Sequence, residues 1–234
     1  MKLILPKLYT FTGLLLGRVY LIEDADGLTI IDTSLAQTAS RIITQLEAMG
    51  RKLSDVKRIL ITHAHIDHIG GLPTVQQRTG AQVIANTIDR EAIEGQAFLP
   101  MPPRGKLSWL AAMMRAPDTK VSGTPVDRVI GDGDVLPDVM GGLQAIALPG
   151  HTLGQLGFWQ PTQRLLFCGD TLMRMWGLSL PFAGATVDMD KARQSVQRVA
   201  DMEPSIVCFG HGAPLRQNTV QQIKEFARKI QTRP

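Results

Sequence analysis

Apolar residues recur at two periods along this chain, and the switches between them mark out its elements. Val19 to Glu23 and Leu28 to Asp32 are short apolar runs separated by Asp24, Asp26 and Gly27, which predicts a hairpin. From Ala36 to Met49 the residues Ile42, Ile43, Leu46 and Met49 fall on one helical face, and Gly50 stops the helix. Val56 to Thr62 is largely apolar, as in a strand covered on both faces. Gly70, Gly71 and Pro73 open a short helix through Arg78, Gln82 to Asn86 is the next strand, and Thr87 can cap a helix running to about Glu94. Strands return at Arg128 to Ile130, Leu143 to Leu148, Leu156 to Gln160 and Arg164 to Cys168, with Pro161-Thr162-Gln163 as a hairpin turn. Asp188 caps a predicted helix through Met202, Ser205 to Phe209 is the last strand, and Thr219 to Ile230 is an amphipathic terminal helix. Two such series predict an α/β (α+β) class, with two mixed sheets face to face, helices outside, and one domain over 1–234.

The rhythm breaks over 96–125, which holds five prolines around the apolar patch Leu107 to Met114. This segment is a candidate lid, or else a connector packed on the core. Composition adds little: 44% apolar and 20% charged residues describe an ordinary globular protein. The net charge of +4 is spread over small clusters (Arg51-Lys52, Lys57-Arg58, and Lys224, Arg228, Lys229, Arg233), with no dense run to suggest a nucleic-acid partner. Cys168 and Cys208 are too few for a disulfide scaffold and read as buried thiols. No stretch is apolar enough to span a membrane, and Met1 to Leu16 has no convincing cleavage site, so a cytoplasmic protein with no membrane partner is expected.

The chemistry concentrates in Thr62-His63-Ala64-His65-Ile66-Asp67-His68-Ile69-Gly70-Gly71, where four metal-capable side chains fall within six residues. In an extended segment i and i+2 face the same way, so His63 and His65 can reach one metal, while Asp67 and His68 reach a second from the turn that follows. His151, Asp170 and His211 each sit just after a strand, beside a glycine that lets the backbone approach closely. Seven candidate ligands exceed what a single tetrahedral zinc needs and suit two metals sharing a bridging carboxylate. Ligand softness fits two Zn, with Fe or Mn admissible.

The His63-x-His65-x-Asp67-His68 motif, the glycine-flanked His151, the Gly169-Asp170-Thr171 turn and Gly210-His211-Gly212 together resemble the metallo-β-lactamase superfamily. The likeness is to its hydrolase branches, such as glyoxalase II and acyl-homoserine-lactone lactonases. It implies an αββα sandwich with metal 1 on His63, His65 and His151, metal 2 on Asp67, His68 and His211, and Asp170 bridging. The implied reaction is attack of a metal-bridging hydroxide on an ester, lactone or thioester carbonyl, with Asp67 and Asp170 as the catalytic carboxylates. Asp32, Thr62 and Thr171 are candidates for orienting the imidazoles. Only Gly212 to Pro234 follow the last ligand, where glyoxalase II carries a glutathione-binding domain, so glutathione is not the expected substrate. The tyrosine that many lactonases place near the bridging aspartate has no counterpart, since Tyr9 and Tyr20 are both N-terminal.

Rival readings are a mononuclear-iron persulfide dioxygenase using His63, His151 and Asp170, a phosphodiesterase, and a non-enzymatic module that keeps a metal site for stability. Pocket walls are expected from Phe98 to Met114 and from Leu172 to Ala185, with Trp109, Met173, Met175, Trp176 and Phe182 prominent. These suit a small-molecule substrate with an apolar acyl portion; the alternative is that they pack on one another or on the second subunit of a homodimer.

Overall fold

The computed structural model describes residues 1–231, and Arg233 of the C-terminal basic cluster lies outside them. Strands β1 (Lys2–Leu5) and β2 (Leu8–Thr10) form a hairpin that the apolar pattern did not announce. β3 (Tyr20–Asp24) and β4 (Gly27–Ile31) are the expected hairpin, and α1 (Ala39–Ala48) follows a tight turn over Ala36–Thr38. Then come β5 (Val56–Leu60), α2 (Ile66–Ile69), α3 (Leu72–Thr79), β6 (Gln82–Asn86), α4 (Arg90–Ile93), α5 (Trp109–Met114) and β7 (Arg128–Ile130). These seven strands make one sheet in sequence order, antiparallel from β1 to β4 and parallel from β4 to β7.

The second half runs β8 (Val135–Leu136), β9 (Leu143–Ala147), β10 (Leu156–Gln160), β11 (Leu165–Phe167), the small hairpin β12 (Met173–Arg174) and β13 (Leu178–Ser179), α6 (Met189–Asp201), β14 (Ile206–Cys208) and α7 (Thr219–Gln231). Its five-stranded sheet has the order β14-β11-β10-β9-β8, with β11 and β14 parallel and the other pairs antiparallel.

Adjacent residues on the central strands go to different cores, because side chains alternate across a strand. Leu21, Ile30, Ile59 and Val83 pack outward against Ile42 and Leu46 of α1 and Leu72 and Val75 of α3. Their neighbours Ile22, Ile31, Leu60 and Ile84 face inward and meet Ala145, Phe158 and Phe167 of the second sheet. Ile146, Leu166 and Val207 point out the far side, onto Val196 and Val199 of α6 and Ile223 and Ala227 of α7. The result is four layers, helix, sheet, sheet, helix, as the sequence pattern and the resemblance both lead one to expect. Asp188 caps α6 by accepting from the amides of Asp190 and Lys191. Two local expectations fail. Lys57 is exposed, so β5 emerges at its start rather than staying covered throughout. Thr87 does not cap α4, which begins at Arg90 with Asp89 at the capping position.

The 96–125 segment carries α5, whose Trp109, Leu110, Met113 and Met114 are exposed while Ala111 rests beside the turn at Ala183–Ala185. Among the described residues no helix is long and apolar enough to cross a membrane. Both cysteines are free and buried.

Candidate metal centre

Every candidate ligand sits just past the C-terminal end of a strand. β4 and β5 run parallel, delivering Asp32 and the His63–His68 segment to one edge of the first sheet. β9 and β11 both pair antiparallel with β10, and β14 parallels β11, so His151, Asp170 and His211 leave one edge of the second sheet. The two edges meet, and all seven side chains converge there.

His65 keeps an extended backbone (φ −109°, ψ 154°) before the chain turns into α2, which carries Asp67 and His68. This reproduces the extended-then-turned geometry read from the spacing. Ligand atoms of His63, His65 and His151 lie within 4.8 Å of one another, as do those of Asp67, His68 and His211, and those of His63, His68 and Asp170. His65 Nδ1 is 2.8 Å from His151 Nε2. Asp170 stands between the groups, 3.5 Å from His151 Nε2, 3.1 Å from His211 Nε2 and 3.4 Å from His68 Nε2. A Cβ on Gly210 would come within 1.9 Å of Asp170 Oδ1 and 2.8 Å of His68 Cε1, so the last ligand loop closes on the others only with glycine there.

The outward nitrogens are spoken for. Thr62 Oγ1 donates to Asp32 Oδ2, so His63 Nδ1–H donates to Thr62 Oγ1. His65 Nε2–H donates to the carbonyl of Pro100, and His68 Nδ1–H to Asp32. Thr186 Oγ1 gives its own proton to Phe182 O and accepts from His151 Nδ1–H. Four imidazoles are thus fixed with one nitrogen bonded outward and the other facing the centre. His63 Nε2, His68 Nε2 and Asp170 Oδ1 are buried and make no hydrogen bond. Buried polar atoms are rarely left so, and imidazole nitrogens with carboxylate oxygens at this spacing are the donor set of a divalent transition-metal site. The residues fit a bound divalent cation.

Electrostatics divide the cluster in two. Burial drives His63 well below the usual histidine range and His151 down to about 3, with neighbouring imidazoles adding to the effect. Burial lowers His65 as well. At His68 burial opposes the charged form, but Asp170, Asp32 and Asp67 outweigh it and hold the ring well above its usual range. The same contest, with Asp170 and Asp67 prevailing, lifts His211 to about 9. Asp67 and Asp170 stay well below ordinary carboxylates despite burial, because His68 and His211 stand against them. The second group therefore pairs two carboxylates with two imidazoliums, and it takes a cation only by releasing the imidazole protons.

Of the orienting residues expected from sequence, Asp32 accepts from Thr62 N, Thr62 Oγ1 and His68 Nδ1, each at 2.8 Å. Thr171 Oγ1 instead accepts from Gln155 Nε2. Sequence reasoning missed Thr186, Pro100, Asp89, Arg18 and Arg174. Arg18 bonds Gly212 O, and Arg174 Nη1 bonds Ala213 O and Pro214 O at 3.1 and 3.2 Å, so two guanidiniums brace the loop after His211. Cys168 packs into the outer core, away from the cluster.

Beside His211 opens a groove of about 790 Å³. One wall is Arg174 to Leu178, within the expected 172–185 stretch; the other is Phe11 to Arg18, which was not expected. Residues 98–114 do not line this groove.

A family model described as the metallo-beta-lactamase superfamily matches residues 12–211. YobT of Bacillus subtilis (strain 168), an uncharacterized protein, is 30% identical over 227 residues, 90% of this chain and 89% of YobT. A hydroxyacylglutathione hydrolase of Rhodobacter capsulatus is 30% identical over 187 residues, 80% of this chain but 57% of the enzyme, so the chain spans little more than half of that relative. The metallo-beta-lactamase family protein TTHA1429 of Thermus thermophilus superposes with a TM-score of 0.71 at 21% identity, covering 98% of this chain and 81% of that one. BJP-1, a subclass B3 metallo-beta-lactamase of Bradyrhizobium japonicum, does so at 0.68 and 22%, covering 96% and 89%. At such identities the likeness is one of fold.

Proposed function

The chain belongs to the metallo-β-lactamase superfamily, and we propose that within it the protein is a dinuclear metallo-hydrolase, zinc the foremost candidate, acting on an ester, lactone or thioester. The observation that supports this best is the pair of ligand trios with Asp170 between them and three buried donor atoms left without partners. His63, His65 and His151 would hold one cation, Asp67, His68 and His211 the other, and Asp170 would serve both. Cations bound there supply Lewis acidity toward a carbonyl oxygen and lower the pKa of water from about 15.7 toward about 7.

The chain's own groups account for the rest. Asp32, Thr62, Pro100 and Thr186 keep the imidazoles facing inward. Asp67 has 20% of its side chain exposed against 3% for Asp170, so Asp67 is the carboxylate within reach of an attacking water, which it orients and whose proton it accepts. Asp170 is enclosed and stays a fixed anion between the two trios. Leu15, Leu16, Met175 and Trp176 are exposed along the groove and suit an apolar acyl chain. The 96–125 segment acts as a lid: it reaches the centre through Pro100 and His65 while its α5 face lies open.

The named activity of the hydroxyacylglutathione hydrolases puts thioesters first among the substrates to try. The test is a panel of thioesters, lactones and phosphodiesters on zinc-, manganese- and iron-loaded protein, with metal counted per chain. Two metals and carbonyl-ester turnover are expected. Asp67→Asn should cut kcat by roughly 100-fold or more, within the usual reach of general acid–base catalysis. One iron per chain with oxygen uptake on a persulfide would overturn the reading.

A further inference from the structure

We propose that Asp89 is a positioning residue for the His63–His65–His151 half of the centre, a buried carboxylate that ties the segment bearing the first two imidazoles to the segment bearing the third. The inference rests on the ligand assignment above.

Asp89 stands at the head of α4, where a carboxylate usually accepts from its own helix. It makes no such bond. The side chain turns inward instead, and the residue is 2% exposed. Oδ2 accepts the backbone N–H of Ala64 at 2.9 Å and the hydroxyl of Thr152 at 3.3 Å. The backbone N–H of Gly154 donates to the same carboxylate. Ala64 is the residue between His63 and His65, and Thr152 is the residue after His151. A Cβ on Gly154 would sit 2.3 Å from Asp89 Oδ1, so the third contact needs glycine.

Three donors converging on one point call for a group that only accepts, and an ionised carboxylate is that group. Asparagine would turn an NH2 toward one of them. Nor is Asp89 a good stabiliser of the fold in general. Burial without a cationic partner is costly, and it pushes the carboxyl up to about 6 even with the three hydrogen bonds opposing it. What Asp89 supplies is a fixed separation between two chain segments that are 86 residues apart at His65 and His151.

Metal affinity, measured half by half, tests this. His211→Ala should leave one cation per chain on the His63–His65–His151 trio, and His151→Ala one on the other half. In each background Asp89→Asn and the milder Thr152→Val are titrated with zinc against a chromophoric chelator, and with cobalt read by its visible absorption. Circular dichroism checks the fold of each metal-free variant. We expect roughly 10-fold weaker binding in the His211→Ala background, the usual loss when a supporting hydrogen bond to a metal site is removed, and a change below about 3-fold in the His151→Ala background. Equal losses in both backgrounds, or none in either, overturn the assignment of Asp89 while leaving the ligand reading in place. If the two parent variants do not each bind one cation, the ligand reading itself fails and takes this proposal with it.

Discussion

Asp32 turns out of β4 with φ 59°, a left-handed backbone that aspartate tolerates better than most residues, and this aims its carboxylate at three donors. Asp32→Ala would strand the Thr62 amide and hydroxyl and free the His68 ring, leaving buried donors without acceptors at about 1–3 kcal/mol each. Urea unfolding of the metal-free variant should show a loss of at least about 2 kcal/mol, and metal binding should fail first at the Asp67–His68–His211 half. Asp89 makes a different prediction, in pH. Its folded value of about 6 is raised above the ordinary carboxyl value of 3.8, by burial against the bonds from Ala64, Thr152 and Gly154. The folded state therefore holds the proton more tightly. Its stabilising contribution is complete below about 4 and is lost as pH rises through about 6, worth on the order of 2–3 kcal/mol. Thermal melts of metal-free protein should show wild type losing stability relative to Asp89→Asn between about pH 4 and 6.5, from the unfolded carboxyl value to just past the folded one; a constant difference would contradict it. Sequence made Asp32 legible because it is a carboxylate at the end of an apolar strand, as the other candidate site residues also follow strands. Asp89 was not legible, since its donors at 64, 152 and 154 come together only in the folded chain.

At the scale of elements, what could be read was whatever repeats. Strands buried on both faces show as apolar runs, and α1, α6 and α7 show as helical stripes. β1 and β2 escaped because Pro6, Lys7 and alternating exposed positions break the run. The groove wall at 11–18 escaped for a related reason. Leu14, Leu15 and Leu16 lie between Gly13 and Gly17, both at positive φ, in a loop whose value comes only from facing Arg174 to Leu178 across the groove. That pairing makes a prediction. Trp176 is 99% exposed and Leu15 69%, so Trp176→Ala and Leu15→Ser should leave the melting temperature nearly unchanged. Each would forfeit on the order of 50 Å² of apolar contact with a long acyl chain, about 1.3 kcal/mol, hence roughly a tenfold rise in KM. Short acyl substrates should show little change. A loss in kcat for both chain lengths would place these residues outside substrate binding.

The centre joins the two halves of the molecule. His63, His65, Asp67 and His68 hang from the first sheet, and His151, Asp170 and His211 from the second, so any cation they share bridges the sheets at the edge where their strands end. The inner core already glues the sheets with Phe158, Phe167, Ile31 and Leu60. At the edge, by contrast, Asp67 and Asp170 lie against one another's field and rely on His68 and His211 for relief. Metal binding therefore favours the folded state, because only the folded chain completes each trio with His151 or His211. At free zinc about 1,000 times the Kd, mass action adds about 4 kcal/mol. For a chain of this length that corresponds to roughly 8–16 °C in melting temperature. Exhaustive chelation should lower the melt by about that much, and zinc should restore it. His151→Ala and His68→Ala should each retain only part of the zinc response, because each keeps one trio. A shared response that disappears completely in either variant would mean that the two halves bind as a single unit. A melt indifferent to zinc and chelator alike would separate this protein from the metal chemistry proposed for it.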